Sequence, residues 1–589
     1  MSFASSSANA RGAVQRGPRP GARLALPTLG RVVPALFWVV LTLIILLPCL
    51  AFLVLAVSPK LFDQGDSYFT LHYLGTVFTG QTAIAIGNSL WVGAATAAFG
   101  VAVGFPIAWL ATRTDLPGRA LITASMWLVL LLPSWLPAGG WVRLVQVDGV
   151  LDRIGLGSGF VTHSILGPFG VVLVLGLRNV PFAFLAISVA LAGMGQEFED
   201  AVRVHGGSPL ATLRMVAPII APAIWSALAI GFAEAVSDYG VAATLAYQGN
   251  FTLGTFQLYT YINNFPPSFP GAASMAWLLV ASVGFPLALQ ARALRGRSYA
   301  VLSGRSRQIV RRRLSMRAKA LGLAGIGLFL FVAVGIPGLA AVSGSLLADY
   351  GSSFSITTAN YSALFHDSTL IAPLVRSLEY GAITATITVV LGYTAARFLT
   401  RTKTRATRLL DFMLLAAVAI PSVIFAAGYI MAYNLPFLSH LGINLYQTVI
   451  LLVVAYTASS LPTNARVLVG TVGQVQGSLQ DAARTHGANP ILAWLRGVAP
   501  LISRPLLYAW LLTFTGVFLE LPISQLLYAP SQPPASVAIQ DNLSNYHFGA
   551  GTAQSVFAVL LALVIVLCVL GAYRLITPRG WRRIGAAHA

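Results

Sequence analysis

Residues 481–500 open with Asp481-Ala482-Ala483-Arg484-Thr485-His486-Gly487, continue through Asn489-Pro490 and close on Ala499-Pro500. Residues 200–218 repeat the pattern as Asp200-Ala201-Val202-Arg203-Val204-His205-Gly206, then Ser208-Pro209 and Ala217-Pro218. An acidic residue early in a short helix suits the positive end of the helix dipole. Gly206 and Gly487 stop that helix as C-terminal glycines do. Ser208-Pro209 and Asn489-Pro490 restart it, with a capping side chain followed by a proline at the first helical position. Each copy therefore reads as a helix–turn–helix of about 20–25 residues, longer than a plain connection needs. Small alanines on its face would let a partner's groove close over it.

The repeat extends outward from these loops. Asn88-Ser89-Leu90 matches Arg376-Ser377-Leu378, Gly93 and Gly104 match Gly381 and Gly392, and Thr112-Arg113-Thr114 matches Thr400-Arg401-Thr402, all at one offset of 288. The halves between which these matches run are strongly apolar. Of 589 residues, 57% are hydrophobic and only 9% are charged, against about 25% charged in soluble domains. That charge is too little to cover a soluble surface of this size, so the chain belongs in a bilayer.

A crossing helix needs about 20 apolar residues. Twelve segments answer to this, roughly 34–58, 84–111, 121–138, 164–192, 217–245 and 272–291 in the first half. The second half has 320–345, 376–399, 410–433, 446–469, 500–527 and 552–573. They are apolar on every face, which excludes barrel strands. The expected fold is an all-α membrane protein of about 12 transmembrane helices in two parallel six-helix repeats, related by an axis along the membrane normal.

The net charge of +20 would suggest nucleic acid in a soluble chain, but the cations sit at the ends of apolar segments. With a cytoplasmic N-terminus, cytoplasmic segments hold 29 Lys and Arg, and the opposite loops hold Lys60, Arg143 and Arg153. Both termini are thus expected in the cytoplasm. The expected organisation is a disordered basic tail over 1–33, a first repeat over 34–291, a basic linker over 292–319 containing Arg311-Arg312-Arg313, a second repeat over 320–573 and a basic tail over 574–589. The two cysteines, Cys49 and Cys568, lie in apolar runs, and the eight histidines are scattered. Neither suggests a disulfide framework or a metal site. No Gly-Lys dipeptide occurs, so there is no phosphate-cradling Walker loop and ATP is not hydrolysed by this chain.

With these residues in view, the chain resembles two fused copies of the permease of binding-protein-dependent ABC importers. The spacing Asp-Ala-Ala, three residues, Gly, then Pro thirteen residues on is similar to the EAA loop of that family. The second copy keeps the spacing with Asp481 in the place of Glu. In the first, Val202 replaces the second alanine and Pro218 falls twelve residues after Gly206. The resemblance implies a type I importer fold in a bacterial inner membrane, and ATPase-coupling loops at Asp200, Ala201, Arg203, Gly206, Pro209, Asp481, Ala482, Ala483, Arg484, Gly487 and Pro490. It also implies two cytoplasmic ATPase subunits carrying ATP and Mg, no cofactor on this chain, and a substrate-binding protein outside. Glu234-Ala235-Val236-Ser237-Asp238-Tyr239-Gly240, and Glu520-Leu521-Pro522 with Leu526-Leu527-Tyr528-Ala529-Pro530, look like the ferric-iron branch. Thiamine, phosphonate, polyamine and sulfate permeases share parts of the pattern.

Intramembrane charges cost about 2.5–3.5 kcal/mol each on insertion scales and so need a reason. Asp238 and Glu520 each lie twenty residues after the re-entry proline of their half, and Glu234 precedes Asp238 by four on one helix face. Glu234, Asp238, Tyr239 and Glu520 are the candidate pathway residues. Either the acids attract a cation along a pathway, or they tie helices together through hydrogen bonds. Arg178 and Arg466 suit structural pairing, and Pro181 and Pro462 suit kinks. The competing function is an ion-coupled secondary transporter, which would need no matched docking loops. A membrane enzyme is disfavoured, because no nucleophile–base pair, metal cluster or cofactor motif is present.

Overall fold

A computed structural model describes residues 29–578 apart from 295–310, 349–354, 419, 436, 437, 439, 476 and 477. The expected tails lie almost wholly outside the described residues, as does the linker before 311. Helices dominate, and the described residues hold no strand beyond two isolated bridges.

Among the described residues, nine helices are long and apolar enough to cross a membrane, and two bent helix pairs bring the number to eleven. A further 26-residue helix, Val449–Gln474, lies where the tenth span was expected. Its apolar run is interrupted by Asn464 and Arg466, each of which reaches a neighbouring helix. Asn464 donates to the Ala509 carbonyl at 3.1 Å, and Arg466 pairs with Asp411 at 2.8 Å.

The third span of each half corrects the expectation of one continuous helix. Arg119–Leu131 stops at Leu132, whose backbone is extended as the residue before a proline favours, and Trp135–Val145 sets off after an 84° bend. In the second half Arg405–Val418 gives way to Ser422–Tyr433 with a 110° bend beside Pro421. The fifth span also ends early. Its helices, Pro209–Ser237 and Ala499–Phe518, stop just before the acids Asp238 and Glu520, and short helical segments follow. Pro181 and Pro462, by contrast, lie inside unbroken helices Pro168–Gly193 and Val449–Gln474.

The first span of each half packs on the other half. The helix over Leu47–Leu55 lies against Ser422–Tyr433, and Ile336–Ser345 lies against Trp135–Val145. The approach is backbone-close. A Cβ on Gly428 would sit 2.5 Å from the Pro48 carbonyl oxygen, and one on Gly140 would overlap that of Pro337. Before Pro48 and Pro337 each first span widens into one π turn, Thr42–Leu46 and Phe331–Gly335. Pro48 has no N–H to donate, and carbonyls in that turn need other donors in a water-free core. The Tyr429 and Tyr433 hydroxyls supply them, reaching Ile44 O at 2.7 Å and Leu43 O at 3.0 Å.

Within each half, small residues bring the second span against its neighbours. Gly93 meets Phe232 and Val236, and Gly381 meets Phe514 in the same way.

Candidate functional site

The two breaks in the third spans and the two fifth-span ends meet around one cavity of about 450 Å³. The halves line it with equivalent positions. Pro133 and Ser134 correspond to Pro421 and Ser422 at the same offset of 288 found in the sequence. Asp238, Tyr239 and Gly240 correspond to Glu520, Leu521 and Pro522. Glu234 faces the cavity where the other half has Gly516, and Arg178 joins the wall. Three carboxylates thus share the space with one guanidinium.

The carboxylates are not held alike. Asp238 Oδ1 accepts the Val241 N–H at 2.7 Å, so it caps the helical turn that starts after the break. Both Glu520 oxygens accept from the Ile523 N–H at 3.0 Å, and Oε2 also accepts from the Ser524 N–H at 3.0 Å. Glu520 thereby caps Pro522–Leu527. The backbone carbonyls of these acids are served in parallel, Asp238 O by the Thr255 hydroxyl at 2.7 Å and Glu520 O by the Ser536 hydroxyl. Glu234 makes no hydrogen bond or ion pair among the described residues and is exposed to the cavity. Tyr239 is buried at the cavity wall, with its ring 5.4 Å from that of Tyr259.

Arg178 donates to the Leu132 carbonyl at 2.8 Å and so steadies the helix break. Sequence reasoning gave Arg178 a pairing role and missed its place beside the acids. It also missed the Pro-Ser breaks, although their repetition at offset 288 was a usable signal.

The matched loops take the anticipated local form. Glu197–Val204 carries Asp200, Ala201 and Arg203, and Ser478–Thr485 carries Asp481, Ala482, Ala483 and Arg484. Gly206 and Gly487 stop them with φ of +69° and +85°, values open mainly to glycine. Ser208 then accepts the Ala211 N–H at 3.3 Å, and Asn489 accepts that of Leu492 at 2.7 Å. Pro209 and Pro490 begin the next helices. These differ in continuation. Pro209–Ser237 runs unbroken through Pro218, whereas Pro490–Gly497 ends before Ala499–Phe518 begins. An unforeseen ion pair anchors the first loop. Buried Arg113, at the end of the second span, meets Glu199 at 3.2 Å and donates to Leu191 O and Met194 O.

Residues 388–582 match the family model described as binding-protein-dependent transport system inner membrane component. A ferric transport system permease protein of Actinobacillus pleuropneumoniae is 22% identical over 87% of this chain and 74% of its own length. A probable ABC transporter permease protein of Sinorhizobium fredii is 24% identical over 93% of this chain and 96% of its own. Residues 388–582 thus carry that family's domain, and the chain over most of its length is similar to permease components of ABC importers. It is a multi-span membrane protein of a family located in the bacterial inner membrane, and a transport component rather than an enzyme. The family works with ATPase and substrate-binding partners, which displaces the secondary-transporter reading. A sulfate transport system permease protein of Salmonella typhimurium is 26% identical over 41% of this permease and 83% of its own length. That relative is thus matched by less than half of the permease.

Proposed function

We propose that the permease carries ferric iron, and that the cavity between its halves is the pathway. The observation that carries this reading is the set of three carboxylates, Glu234, Asp238 and Glu520, facing one space with a single Arg178. A hard, highly charged cation favours oxygen donors, and relatives spanning most of the chain are named ferric permeases. The excess negative charge argues against an oxyanion such as the sulfate named for a shorter relative. Cationic thiamine or polyamine would suit the charge and form the alternative cargo.

Coupling runs through the two loops. Each would dock on one copy of a cytoplasmic ATPase that holds ATP and Mg, while this chain binds no cofactor. Both termini lie in the cytoplasm in this reading, and a substrate-binding protein delivers cargo at the outer face. Motion of the first loop passes to the second span through the Arg113–Glu199 pair. ATP can drive the cycle only by binding one conformation better than the other.

Proteoliposomes with the ATPase and the binding protein test this. ATP-dependent ⁵⁵Fe uptake that falls on Glu234→Gln, while ATPase association persists, supports the reading. Iron uptake unaffected by removing Glu234, Asp238 and Glu520 together refutes the pathway. Uptake without any ATPase refutes the coupling.

A further inference from the structure

A second cavity, of about 250 Å³, lies between Trp135–Val145, Ile336–Ser345 and Phe548–Ile576. Leu136, Gly140, Gly338, Ala341, Val556 and Val559 form much of its wall. The hydroxyls of Thr552 and Ser555 that reach it are spent on their own helix, donating to Phe548 O at 2.6 Å and Gly551 O at 2.8 Å. Water inside would find few partners, and apolar hollows of this kind stay dry and take apolar guests.

The equivalent positions in the other half carry larger side chains. There Leu47–Leu55 packs on Ser422–Tyr433 as Ile336–Ser345 packs on Trp135–Val145. Aligning the prolines at the two close contacts, Pro48 with Pro337, puts Phe52 opposite Ala341 and Cys49 opposite Gly338. Phe52 is fully buried and Cys49 is buried. Aligning the starts of the sixth spans, Phe269 with Phe548, puts Trp277 opposite Val556. The Trp277 indole reaches across to the Leu53 carbonyl at 2.9 Å. The bulk that closes one half is therefore missing from the other, and the missing volume is apolar.

The rim shows what lies outside. Val342 and Leu560 are 44% and 53% exposed, and they stand on the crossing helices Met316–Ser345 and Phe548–Ile576. The hollow is continuous with the face that these spans turn to the hydrocarbon. We propose that it seats one acyl chain of a membrane phospholipid, which takes the place held by Phe52 and Trp277 in the other half. A void that its neighbours cannot reach loses their dispersion contacts outright, and a hydrocarbon chain restores them. The seat also touches transport, because Leu132 and Trp135 wall both this hollow and the central cavity. The inference rests on the membrane fold and not on the identity of the cargo.

The test uses the full permease in vesicles of phosphatidylethanolamine and phosphatidylglycerol, doped with a phospholipid carrying a photoreactive diazirine midway along one chain. Adducts mapped by peptide mass spectrometry are expected on 336–345 and 552–560. They should fall several-fold in Ala341→Phe, while labelling around exposed Leu567 is unchanged. Gly338→Leu is the second variant, since a Cβ there meets nothing within 4 Å and should not disturb the fold. Seat adducts that persist in both variants, or that are no more frequent than those around Leu567, overturn the proposal. So does labelling of the same peptides by a free photoreactive fatty acid but not by the phospholipid.

Discussion

The indole N–H of Trp135 donates to the carbonyl of Leu519 at 3.0 Å, joining the broken third span of one half to the residue before Glu520 in the other. Both residues are buried. Trp135→Phe keeps an aromatic ring and removes the donor, leaving a buried carbonyl without this partner at a cost of about 1–3 kcal/mol. Thermal unfolding in detergent should move to lower temperature, and ATP-driven uptake should fall with it. A variant that melts with the wild type would show that this bond does not hold the halves together.

The three cavity acids should separate into two behaviours. Glu234 bonds to nothing among the described residues, so Glu234→Gln should change stability by less than about 0.5 kcal/mol. Cation uptake should nevertheless drop. Glu520→Ala removes a helix cap that receives two backbone N–H groups, so it should also cost about 0.5–2 kcal/mol of stability. Parallel thermal and uptake measurements distinguish the two. Equal destabilisation by both changes would contradict the free state of Glu234.

Tyr429 and Tyr433 lend their hydroxyls to a first span from the other end of the chain. Tyr429→Phe should cost about 1–3 kcal/mol, because the freed Ile44 carbonyl lies in a core with no water to replace the donor. Tyr433→Phe should cost less, since that hydroxyl bond lies nearer the surface. The readout is thermal stability of the purified permease, and the reverse order would refute this account of the π turn.

The loops were legible in the sequence because each of their signals acts locally. A glycine at positive φ, a capping Ser208 or Asn489 and a proline at the next position need no distant partner to do their work. The apolar spans were legible for the same reason, since hydrophobic length is a property of the segment itself. The breaks at Pro133 and Pro421 were not read, because Leu and Val runs continue across them and hydropathy does not register a bend. Nor was the exchange of first spans, which depends on Gly140 and Gly428 meeting prolines nearly 200 and 400 residues away. Asp238 and Glu520 each cap the turn that follows them while facing the cavity, a geometry that depends on the chain breaking just before each acid and that hydropathy does not register.

Gly487 takes φ of +85°, and a Cβ added there would meet nothing within 4 Å, so its requirement is backbone conformation and not space. A left-handed conformation costs a branched residue about 1–2 kcal/mol, whereas Asn tolerates it. Gly487→Val should reorient Ser478–Thr485 and weaken ATPase co-purification, and Gly487→Asn should retain most of it. Equal binding by both variants would remove this loop from the docking surface.

Asp115 holds the start of the second half against the first. Its carboxylate accepts the Leu314 N–H at 2.8 Å and pairs with Lys319 Nζ at 2.7 Å, while Arg312 exchanges backbone hydrogen bonds with Arg113 and Asp115. The Lys319 hydrogen bond, helped by the Leu314 N–H, holds the Asp115 carboxyl below its ordinary value of 3.8. A depressed carboxyl contributes its stability above the unfolded-state value and loses it as pH falls through the folded-state value. The clasp should therefore stay closed from neutral pH down to the ordinary carboxylate range and open only below it. Amide exchange at Arg312 and Leu314, corrected for its intrinsic pH dependence, should rise only in that acidic window. At neutral pH, Asp115→Asn should speed tryptic cleavage at Arg311–Arg313 several-fold, and cleavage at the wild-type rate would show that the backbone pairing alone keeps the segment in place.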